Sequence, residues 1–157
     1  MKITRLIRKV LLAIAAGFAM LTGIALTLVP GLVSRALLGG EIAGAGIGVA
    51  RICGLAMLAL GIACWPMPHP TLAGLRALLI YNLLITPYLA WQLVRGVTAK
   101  VLAPAVAVHA ILTVLLALAY FSAERDERRL EKSEVVLPPP QTADNRGHEP
   151  KVKSAAQ

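Results

Sequence analysis

Of the eight acidic residues in the chain, Glu41 alone precedes Glu124. A water-soluble surface needs charge spread over its whole area, and ordinary domains carry about 25% charged residues. Here charged residues make up 15% and hydrophobic ones 57%, with a mean hydropathy of +0.72. One carboxylate cannot serve the surface of residues 1–123. A soluble enzyme and a disulfide scaffold are excluded, and the chain reads as an integral membrane protein.

Four apolar segments have the length that a hydrocarbon core of about 30 Å demands of a helix. They cover residues 10–29, 43–65, 72–93 and 101–121. Pro30 closes the first, and the run Pro66-Met-Pro-His-Pro70 breaks the chain after the second. Trp65, Tyr88, Trp91 and Tyr120 stand near segment ends, where aromatic side chains anchor at the membrane interface. The basic start followed by an apolar run resembles a signal peptide, but the run exceeds the usual h-region. Ser34-Arg35-Ala36 is also a poor cleavage site, so the segment reads as a retained spanning helix. The expected fold is all-α: a bundle of four transmembrane helices, with the short connections packing consecutive helices antiparallel.

The net charge of +8 raises the question of nucleic acid. Its placement answers no, because no aromatic residues interleave the basic ones. With both termini on the cytoplasmic side, nine Lys and Arg residues flank the spans inside and three (Arg35, Arg95, Lys100) outside. That asymmetry predicts cytoplasmic termini. Residues 124–134 are expected to prolong the fourth helix, with Glu124 and Arg128 at i,i+4. From Pro138 to Gln157 the chain is polar and proline-bearing, the composition of a disordered tail.

Polar residues inside spans carry the most information, because the bilayer penalises them unless they find partners. Arg51, Asn82, Thr86 and His109 fall about seven to eleven residues from the outer ends of three different segments, a depth of about 10–16 Å at helical rise. They are candidates for one intramembrane polar cluster. Arg51 costs about 2.5–3.5 kcal/mol to insert. Its partners would be carbonyls together with Asn82 or Thr86, or else an anionic ligand or lipid headgroup. Glu41, ten positions away on a continuous helix, cannot reach Arg51 directly and is expected at the outer interface near a helix N-terminus. His109 has the chemistry of a proton relay, although a hydrogen-bonded histidine inside a bundle is the plainer reading.

Small residues recur at four-residue spacing. Gly40, Gly44 and Gly48 form one such stripe, and Ala15, Ala19 and Gly23 another; both are expected to pack against a neighbouring helix or a second copy of the chain. Cys53 and Cys64 lie too far apart along one helix for a disulfide. No histidines share metal-ligand spacing, and no serine–histidine or paired-carboxylate arrangement supports hydrolysis. No catalytic residue, metal or cofactor is expected.

The helix count, Leu21-Thr22-Gly23 ahead of a proline-closed first helix, and Ala50-Arg51-Ile52-Cys53-Gly54 in the second together resemble the small bacterial membrane proteins grouped as DoxX-like. The resemblance spans about residues 8–121, and the Gly-rich stretch before the second helix departs from that pattern. It implies a multi-pass protein of the plasma (inner) membrane, similar to accessory subunits of redox complexes, with no catalytic residue carried over. The expected partners are the lipid bilayer and a partner membrane protein or a second copy. A small ion-coupled transporter lining a cavity with Glu41, Arg51 and His109 is the alternative.

Overall fold

The computed structural model describes residues 2–66 and 72–136, and every regular element within them is helical. In chain order these are α1 (Lys2–Leu28), α2 (Pro30–Leu38), α3 (Ala45–Ala63), α4 (Leu72–Val94) and α5 (Leu102–Val136). α1, α3, α4 and α5 are each long and apolar enough to cross a membrane. The chain is an all-α, multi-pass membrane protein. Its contacts divide it into two units, residues 1–124 and 125–157; in the second, residues 125–136 are helical. The expected tail from Pro138 onward and the Pro-rich break at residues 67–70 lie outside the described residues.

α1 begins eight residues ahead of the apolar run, because Lys and Arg are good helix formers and nothing breaks the helix before Pro30. Pro30 does more than stop α1. Val29 leaves helical geometry at φ −131°, and Pro30 then opens α2, a short helix that replaces the expected loop over residues 30–42. Proline suits this first position because its missing N–H would have no partner there. α2 ends at Gly39, whose φ of +72° places its N–H on the Arg35 carbonyl. Two contacts fold the following turn back on α2: Ser34 Oγ donates to the Gly40 carbonyl at 2.8 Å, and Arg35 pairs with Glu41.

The helices run up and down. The Gly39 turn approaches Ala99 in the α4–α5 connection, which puts α2 and that connection at one end of the bundle. At the other end Arg8 Nε donates to Ser122 Oγ at 3.1 Å. The core is built from Leu12, Ala15, Ala16 and Ala19 of α1, Leu75 and Leu78 of α4, Leu112, Leu116 and Ala119 of α5, and Cys64 just after α3. Leu at full burial alternates with Ala, so bulky side chains of one helix fill the space left by small ones on the next.

α1 and α3 are held together differently, by backbone approach. A Cβ on Gly23 would stand 2.6 Å from the Gly54 carbonyl, one on Gly54 2.7 Å from the Gly23 carbonyl, and one on Gly61 2.7 Å from the Ala16 carbonyl. Real side chains do not tolerate such distances, so glycine is required at all three. In lipid, where hydrophobic burial gives no net drive between helices, this close packing supplies the attraction.

The small-residue expectations divide on this point. Gly23, Ala15 and Ala19 are buried within the bundle as expected. Gly40, Gly44 and Gly48 are not a packing stripe here: each is exposed, and a Cβ on any of them would meet nothing within 4 Å. The physical reason lies in where α3 starts. Gly40 and Gly44 precede its first turn, Gly44 at φ +53°, and only Gly48 is helical. The close face of α3 is Gly54 and Gly61 instead, seven residues apart and therefore two turns along one side.

α4 contains Pro87, which the apolar pattern alone did not flag as a break. It removes one rung of the helix at the Leu83 carbonyl, a loss that transmembrane helices tolerate when local groups compensate. Thr86 Oγ1 donates to the Asn82 carbonyl at 2.6 Å beside it.

Candidate functional site

Three of the four candidate polar residues meet. α4 carries Asn82 and Thr86 one turn apart, and α5 carries His109 and Thr113 with the same spacing. Two links cross between the helices. His109 Nδ1 lies 2.8 Å from Asn82 Oδ1, and the hydroxyls of Thr86 and Thr113 lie 3.3 Å apart. Asn82 Nδ2 donates to the Leu78 carbonyl at 2.8 Å, which leaves Oδ1 as the acceptor. His109 Nδ1 is therefore the donor in that pair, and the neutral ring carries its proton there. Thr113 Oγ1 returns to the His109 carbonyl at 2.7 Å.

Aromatic rings close over this cluster. Phe18 from α1 and Tyr81 from α4 meet the His109 ring edge-on, with centroids 5.5 and 5.9 Å away. The Tyr81 hydroxyl in turn reaches the Met57 sulfur on α3 at 3.8 Å. All four spanning helices thus contribute to one region, with Asn82 and His109 at its centre, 2% and 6% exposed. Among the described residues no buried side-chain nitrogen or oxygen lacks a hydrogen-bond partner. Thr113, Tyr81 and Phe18 were not singled out from the sequence. Thr113 had a usable signal, a hydroxyl one turn from His109 on the same face.

Arg51 is not part of the cluster. It sits on α3 with its side chain exposed, three residues before Gly54 and so at the edge of the helix face that Gly54 and Gly61 press against α1. The expected tie to Asn82 or Thr86 is not made; those residues bond to His109, Leu78 and Thr113 and to each other. Glu41 is exposed in the α2–α3 turn and paired with Arg35. Glu41, Arg51 and His109 therefore occupy three separate environments rather than one cavity.

Cys53 is exposed and Cys64 buried, both free. Among the described residues no three His, Cys, Asp or Glu side chains gather as metal ligands would. No family model, curated protein or solved structure matches the chain.

Proposed function

We propose that this protein is an accessory or structural membrane subunit that binds through the outer surface of its bundle rather than through an internal site. One observation carries the reading: the buried polar groups are satisfied by one another, whereas Arg51, a charged side chain well inside a span, points out of the bundle. A substrate cavity would present the opposite pattern, with polar groups turned inward and left for a ligand to complete. The Asn82–His109 and Thr86–Thr113 links then act as internal glue between α4 and α5. The companion is a partner membrane protein or lipid, as the DoxX-like resemblance also implies. The setting is the plasma membrane with both termini cytoplasmic, which the distribution of Lys and Arg supports.

The test is affinity purification in mild detergent at native expression, followed by mass spectrometry of everything retained. It compares the natural chain with Arg51→Leu and His109→Leu. The reading expects Arg51→Leu to lose a stoichiometric companion at an unchanged melting temperature. His109→Leu should keep the companion while melting earlier. The reverse pattern, a companion kept by Arg51→Leu and lost by His109→Leu, would overturn the proposal.

A further inference from the structure

The exposed surface of α3 carries a charge, Arg51, that pairs with no acid among the described residues. Glu41, the only carboxylate in residues 1–123, is paired with Arg35 rather than with Arg51. The surroundings favour an anion. Arg35, Arg51, Arg95 and Lys100 are exposed at or near the α2 end of the bundle, where Glu41 is the only acid among the described residues. The α3 N-terminus, which carries positive partial charge, has neither a side-chain cap nor an acidic residue in its first turn.

Depth identifies the source of the anion. Arg51 is six residues past Ala45, where α3 begins, about 9 Å along the axis. Helical side chains lean toward their own N-terminus, so the guanidinium is directed back to the α2 end, and a long arginine snorkels over that distance to the level of the headgroups. Gly48, one turn earlier on the same side, leaves open space beside it, while Ile52 and Leu55 nearby are exposed and apolar. A headgroup fits over the glycine and an acyl chain along the apolar flank.

We infer that Arg51 and the open α3 surface at Gly48 hold the phosphate of an anionic phospholipid in the leaflet at the α2 end. The inference rests on the outer-surface reading above and names its companion. Arginine recognises phosphate through paired N–H donors, which lysine reproduces only as a point charge.

The full-length protein in mild detergent is incubated with phosphatidylglycerol, phosphatidylcholine or inorganic phosphate and weighed by native mass spectrometry, beside Arg51→Gln, Arg51→Lys and Gly48→Leu. The natural chain should retain phosphatidylglycerol about fivefold over phosphatidylcholine, the preference one surface cation supplies. Arg51→Gln should lose that preference at an unchanged melting temperature, and Arg51→Lys should keep part of it. Gly48→Leu, which fills the space beside the guanidinium, should lose it as well and reads the site even if Arg51→Gln fails to fold. The preference surviving in both Arg51→Gln and Gly48→Leu would overturn the inference. So would displacement of the lipid by inorganic phosphate, which would mark a free-phosphate site. Release of a copurifying protein by Arg51→Gln with lipid retention unchanged would assign the face to a protein instead. None of these results touches the outer-surface reading, which falls only if His109→Leu, and not Arg51→Leu, loses the companion.

Discussion

The two faces of α3 are built from the same kind of residue and do opposite things. One side sets Gly54 and Gly61 against the α1 backbone so closely that no Cβ fits. The other side sets Gly48 beside Arg51 with open space around it. Glycine at four- or seven-residue spacing thus marks a surface where a helix is able to pack closely, without saying whether this chain supplies the neighbour. What distinguishes the faces is the company the glycines keep. Gly54 and Gly61 have Gly23, Thr27, Ala16 and Met20 of α1 against them, while Gly48, about 120° around the helix from Gly54, meets nothing within 4 Å.

The sharpest way to break the comparison is to put a leucine on each face. Gly54→Leu drives side-chain atoms into the Gly23 carbonyl and the Thr27 backbone and should destabilise the bundle by about 3 kcal/mol. In a detergent melt or a denaturant titration this variant should lose a large part of its transition. Gly48→Leu, on the open face, should stay within about 0.5 kcal/mol of the natural chain in the same melt. Equal losses would mean that both faces are packed within the monomer.

Between these extremes lie the interior hydrogen bonds. His109→Leu leaves Asn82 Oδ1 without its donor and should cost about 1 kcal/mol, in the range measured for hydrogen bonds between membrane helices. Asn82→Leu should cost a similar amount. The double substitution should cost clearly less than the sum, because removing both partners leaves no orphaned polar group. Additive losses in a double-mutant cycle would show that the two side chains do not interact. Gly44→Ala gives a further effect of comparable size from another cause. A Cβ there meets nothing, yet the φ of +53° disfavours any L side chain by about 1 kcal/mol, so the loss should appear without any change in α1–α3 packing.

The four spans were legible because hydropathy over about 20 residues is a strong signal, and breaks at Pro30 and at residues 66–70 bracketed them. The meeting of Asn82, Thr86 and His109 was legible for a related reason: polar groups deep in a bilayer must find partners, and only a few were on offer. Arg51 escaped the same logic because a long side chain is able to reach out of the bundle and stand exposed, an option that short Asn and Thr lack. α2 was missed although Pro30 and Gly39 are in the positions that open and close a helix. Its nine residues are too few to register against the longer hydropathy pattern. The roles of the glycines were illegible because periodicity places them on faces of α3 but does not say which face turns to α1.

The central claim is that the bundle hides its polar cluster and presents Arg51 outward. It is tested most directly by placing a single cysteine at position 51 or at position 82 in a chain whose Cys53 and Cys64 are replaced by serine and alanine. Each purified protein is reconstituted in lipid nanodiscs and exposed to a lipid-soluble maleimide. The account predicts rapid labelling of Arg51→Cys and protection of Asn82→Cys. Labelling at position 82 with protection at position 51 would contradict it.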